Sequence, residues 1–158
     1  MMQFVTIVAA LAVAAASPPS PRVVTAAGRW AALGDGRQCD AASLSLLPAS
    51  RTRLQGRASL TFDPRQRHGQ FTAALSKPVA NGSVMLTIDD QPFLLVARGA
   101  SAWSRGPGQE AAIVAAMRGA ARMRIEGRSA RGLRFIDRYD LNGAPTAIDA
   151  AAACGAAL

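Results

Sequence analysis

The chain has 158 residues, half of them hydrophobic, and a formal charge of +8 carried almost wholly by arginine, with one lysine at Lys77. One histidine and two cysteines are too few for a zinc constellation, and scattered arginines with few aromatics do not form a base-stacking nucleic-acid surface. The length suits one domain able to bury a real core.

Residues 4–16 (FVTIVAALAVAAA) form an apolar run of signal-peptide length, shorter than the roughly 20 residues needed to span a bilayer as a helix. Ala14-Ala15-Ala16 fits the small-x-small preference of signal peptidase, so residues 1–16 are expected to be a leader cut near Ala16, with Ala27 as the other candidate position. The segment before the run has no Lys or Arg, which departs from the usual pattern, and a buried helix opening a cytosolic domain is the competing reading. The run has no polar face, which favours export. No cysteine follows it directly and no later stretch is long and apolar enough to cross a membrane. Residues 17–28, beginning SPPSPR, then read as a disordered lead-in, and 29–158 as the domain.

Cys39 lies in the polar segment GDGRQCD, expected just ahead of the first sheet strands. Alternation and turn punctuation predict strands at 57–62 (RASLTF), ended by Asp63-Pro64, and at 70–75 (QFTAAL), stopped by Lys77-Pro78 and Asn81-Gly82. Residues 83–88 (SVMLTI) and 93–97 (FLLVA) read as a hairpin around Asp89-Asp90-Gln91-Pro92; the second run lacks alternation, predicting burial on both faces. At 109–118 (QEAAIVAAMR) the period becomes helical through Ala112, Ile113, Ala116 and Met117, with Glu110 in the first turn, Arg118 in the last and Gly119 as the stop.

Two further strands are predicted at 121–126 and 133–141. Met123 and Ile125 face one way, Arg122, Arg124 and Glu126 the other; Leu133, Phe135, Tyr139 and Leu141 share a face opposite Arg134, Ile136, Arg138 and Asp140. The connector 127–132 makes an antiparallel hairpin of them. Asp137 falls on the apolar face, as a carboxylate paired with an arginine or capping a loop amide rather than a catalytic group. Gly143-Ala144-Pro145 opens a terminal helix at 146–154, with Cys154 at its end and Gly155 as its cap.

An exported chain with two cysteines most simply pairs them. Cys39 and Cys154 stand 115 residues apart, so their bridge ties the last helix to the start of the fold. Closing such a loop contributes on the order of 4–5 kcal/mol in the chain-entropy model, as an upper figure. Neither cysteine has a CxxC partner, which argues against a reactive thiol.

No constellation for catalysis emerges. His68 is the lone histidine, in RQRHG, and no GxSxG turn accompanies it, so a small hydrolase built around it is an alternative without a nucleophile motif. Asp89-Asp90 lacks EF-hand spacing, the glycines at 99, 106 and 108 make no dinucleotide fingerprint, and Trp30 and Trp103 read as plugs at the ends of the core. No catalytic residue, metal site or cofactor is assigned. The charge has two readings: solubility alone, or attraction to anionic lipid headgroups and cell-envelope polymers.

The ordered set of motifs resembles the invasion-associated locus B family of exported alphaproteobacterial proteins. It runs from Trp30 and Cys39 through GSVMLTIDDQPFLL (82–95), Ala102-Trp103, the 111–120 helix and MRIEGRS (123–129) to RFIDRYDLNGAPTAIDAAAAC (134–154), including Asp137-x-Tyr139-x-Leu141-x-Gly143. The resemblance implies a periplasmic or secreted β-sandwich with short helices and a disulfide, and no catalytic residues.

The expected protein is mainly β, an antiparallel sandwich with two short helices and one disulfide. It is expected to be a non-enzymatic envelope or interaction protein that binds an anionic envelope or host partner through Arg122, Arg124, Arg134 and Arg138. A periplasmic chaperone or inhibitor working through sheet edges is not separable from this by sequence.

Overall fold

The computed structural model describes residues 20–65 and 68–158, so the leader expected at 1–16 lies outside the described residues. The fold is mainly antiparallel β with two helices and one disulfide, as expected. One sheet of eight strands is formed by β1 (Arg22–Ala27), β2 (Trp30–Gly34), β3 (Cys39–Leu44), β4 (Arg57–Phe62), β5 (Gln70–Ile88), β6 (Gln91–Trp103), β7 (Arg122–Arg128) and β8 (Arg134–Asp140). Helix α1 (Pro107–Gly119) sits between β6 and β7, and α2 (Ala144–Ala156) follows β8.

The organising element is β5. Its first residues, 70–74, pair with β4, its last, 85–88, pair with β7, and β6 follows its opposite edge. Strands usually run 3–10 residues, and one of 19 does not fit a single flat layer. It bends where the register with β6 shifts, between Ala74 and Val79 and again between Val79 and Gly82. Lys77-Pro78 and Asn81-Gly82 are therefore not the strand stops expected: they form irregularities inside one continuous strand. Pro78 lacks an N–H for the ladder and occupies a stretch where the pairing lapses.

Several boundaries also move. Residues 22–27, inside the stretch expected as a disordered lead-in, form β1 antiparallel to β2. Its Val23 and Val24 are exposed, so the strand is held by backbone pairing rather than by an apolar face a pattern would reveal. Cys39 begins β3 instead of preceding the sheet. In β6, Phe93, Leu95 and Ala97 are buried but Leu94 is exposed, so one face of FLLVA is covered, not both. Leu133 lies outside β8 and is exposed, unlike Phe135, Tyr139 and Leu141. Gly155 is inside α2 rather than capping it; a Cβ there would stand 2.8 Å from the Phe62 carbonyl oxygen.

Both helices seal the core, α2 mostly with alanines. Ile113 and Met117 of α1 and Ala144, Ala147, Ile148 and Ala151 of α2 are buried in one hydrophobic cluster with the strand residues. Arg118 of α1 meets Asp149 of α2 at 2.6 Å. Cys39 and Cys154 are joined, so α2 is bound covalently to the first residue of β3. Gly143, at φ +88°, caps α2 where a Cβ would collide with the Ala27 carbonyl, and Arg29 N donates to Asn142 O at 3.0 Å beside it. Backbone packs on backbone there, which only glycine permits.

Candidate functional site

Strand alternation gives β8 two chemically opposite faces. Phe135, Asp137 and Tyr139 point inward and are buried; Arg134 and Arg138 point outward and are exposed, with Ile136 half-buried between them. On the inner face, Asp137 accepts a 2.9 Å hydrogen bond from the Ser76 amide, in the irregular stretch of β5. Of the two structural roles expected for this carboxylate, it takes the amide cap. Gly56 makes room for it: a Cβ there would stand 2.9 Å from both the Asp137 carboxylate and the Tyr139 hydroxyl. That hydroxyl is buried and has no hydrogen-bond partner among the described residues. Burial, and secondarily the charge of Asp137, push the Tyr139 phenol well above its ordinary value.

The outer face gathers the arginines that alternation singled out. Register places Arg122 across from Asp140, Arg124 across from Arg138, Glu126 across from Ile136, and Arg128 across from Arg134. Like charges directly opposite each other on a sheet are destabilising. Glu126 offsets part of this, lying 3.5 Å from Arg124 and 3.3 Å from Arg134. Among the described residues no carboxylate forms an ion pair with Arg122 or Arg138.

Two concavities flank Arg138. The first, about 600 Å³, is lined by Leu46, Thr87, Asp89, Asp90, Asp140 and the side of β7–β8 that carries Arg122, Arg124 and Arg138. Two of its acids are already committed to backbone. Asp89 accepts from the amides of Ala121 (3.3 Å) and Arg122 (3.1 Å), and Asp140 from that of Asn142 (2.8 Å). Asp89 also takes a positive φ of 46° in the β5–β6 turn, which an aspartate tolerates better than most residues. The second concavity, about 410 Å³, is lined by Leu47, Arg53, Ser76, Lys77, Arg134, Phe135, Ile136 and Arg138 and, among the described residues, by no carboxylate.

All four predicted arginines thus lie on one face, but they divide between two hollows with Arg138 shared. Arg53, Lys77, Leu46 and Leu47 are additions that sequence reasoning missed. For Leu46, Leu47 and Arg53 the only sequence signal was the juxtaposition of an apolar pair and arginines in SLLPASRTR, which has no strand or helix period, and Lys77 stood only in the turn-like pair with Pro78. His68 is exposed in the connection between β4 and β5, with no hydrogen bond or ion pair to a nucleophile among the described residues. Trp30 is buried and donates its indole N–H to Asp140 O at 2.9 Å, tying β2 to the end of β8; Trp103 is half-buried. Among the described residues no three His, Cys, Asp or Glu side chains gather as metal ligands.

No family model, curated protein or solved structure matches the chain.

Proposed function

We propose that this is an exported envelope protein of the kind the invasion-associated locus B resemblance implies, acting by binding an anionic envelope component through the outer face of β7 and β8. The observation that carries the reading is the opposition of Arg124 and Arg138, flanked by Arg122, with neither Arg122 nor Arg138 in an ion pair among the described residues. Such an arrangement costs the free protein electrostatic energy that a bound anion offsets. The Cys39–Cys154 bond is compatible with an oxidising compartment, and no described helix is long and apolar enough to cross a membrane.

Processing near Ala16 accords with this reading better than processing near Ala27, because the later cut would remove β1 and its pairing with β2. The test is titration of the purified protein with inorganic polyphosphate as a soluble polyanion. Binding is expected to weaken with added salt and to fall at least about tenfold when Arg122, Arg124, Arg134 and Arg138 are all changed to Ser. Equal affinity in the two proteins overturns the assignment.

A further inference from the structure

The connection between β3 and β4, residues 45–56, carries the apolar tip Leu46-Leu47-Pro48-Ala49, all exposed. Leu46 and Leu47 are 45% and 52% exposed, an apolar display beside six cations. Leu46 lines the hollow beside Arg122 and Arg124, Leu47 the carboxylate-free hollow beside Lys77 and Arg134, and Arg138 borders both. We propose that this tip docks the protein on an anionic lipid bilayer, Leu46 and Leu47 entering the interfacial region while Arg53, Lys77, Arg134 and Arg138 meet lipid phosphates. The inference rests on the basic-face reading above and names the partner for it.

The loop is held ready for such contact. Ser45 N donates to Gly56 O (2.8 Å) and Gln55 Nε2 to Ser45 O (2.8 Å), closing its base. Leu46 N donates to Arg138 O (2.8 Å), fixing the leucines to the edge of β8. Lys77 Nζ, from β5, reaches Thr52 O (2.6 Å) and the Arg53 guanidinium, within the loop, reaches Pro48 O, so two of the cations brace it. A segment so tied has little conformational freedom left to lose on binding. A soluble polyanion satisfies the cations but leaves the leucines in water. A bilayer satisfies both, because its phosphates lie above an apolar layer. Charge complementarity and the exposed leucines therefore select the same partner.

The experiment compares co-sedimentation with vesicles of phosphatidylcholine and phosphatidylglycerol in equal parts, vesicles of phosphatidylcholine alone, and binding to polyphosphate. The protein is expected to bind the mixed vesicles and not the neutral ones. Leu46→Ser combined with Leu47→Ser is expected to weaken vesicle binding roughly tenfold or more while leaving polyphosphate binding unchanged. A Leu47→Trp variant is expected to shift its emission to the blue on the mixed vesicles, measured against the parent protein containing Trp30 and Trp103. Unchanged vesicle affinity in the double serine variant, or no emission shift, overturns the bilayer assignment while the basic face stands on its polyphosphate result. Binding to neither probe by the parent protein overturns both.

Discussion

The two faces of β8 differ in what their polar residues are committed to. On the inside, Asp137 spends its carboxylate on the Ser76 amide and is sealed beneath Gly56, with Tyr139 beside it. On the outside, at the very next residue of the strand, Arg138 stands exposed opposite Arg124 with no ion pair among the described residues. Burial makes a polar group structural, because leaving it unpaired costs roughly 1–3 kcal/mol or more. Exposure leaves a cation nearly neutral for folding and available to a partner.

The largest blow to the committed side is removal of the covalent tie. Changing Cys39 and Cys154 to Ser is expected to destabilise the protein by up to about 5 kcal/mol in denaturant melts, while polyphosphate binding under folding conditions persists. A melt unchanged by this substitution would falsify the structural role of the bond. Asp137→Ala comes next, at about 3 kcal/mol, since it strands the Ser76 amide and opens space beneath Gly56. Asp137→Asn keeps an acceptor and is expected to cost less. Equal losses from the two would show that the hydrogen bond contributes little.

Alkaline titration sharpens the comparison further. Tyr139 is the only tyrosine, so tyrosinate absorbance reports it alone. Its phenol ionises less readily in the folded state than in the unfolded one, where it titrates near 10. The stability this gives is complete below pH about 10 and declines above it, as the unfolded chain alone releases the proton. Ionisation is therefore expected to coincide with loss of the circular dichroism of the fold; tyrosinate appearing while the fold is intact would contradict the burial. The smallest effect is on the outer face: Arg124→Ser or Arg138→Ser is expected to leave stability within about 0.5 kcal/mol of the parent, or to raise it slightly by removing repulsion.

Where side chains alternate in size and polarity, the sequence revealed both the strand and its face. RASLTF, the SVMLTI turn and its return strand, and the pair carrying Arg122, Arg124, Arg134 and Arg138 were legible for that reason, as were both helices from their 3.6-residue spacing. The first three strands were not. Ala31, Ala32, Ala41 and Ala42 give little contrast between faces, and β1 exposes its valines. Pro78 and Gly82 carried turn chemistry that the long strand absorbs as irregularity. Of the candidate site, the sheet-borne arginines followed from alternation. Arg53 and the leucines could not, because a loop has no period and only backbone bonds such as Leu46 to Arg138 bring it to that face; Lys77 could not, because it sits in the irregular stretch of β5 beside Pro78, which carries turn chemistry.

The sharing of β5 bears on how the molecule comes apart. With β4 along its first residues and β7 along its last, it has no end that can detach without leaving donors and acceptors bare in a neighbouring ladder. Heat or denaturant should therefore dismantle the β4 side and the β7 side together, in a single transition rather than in successive stages.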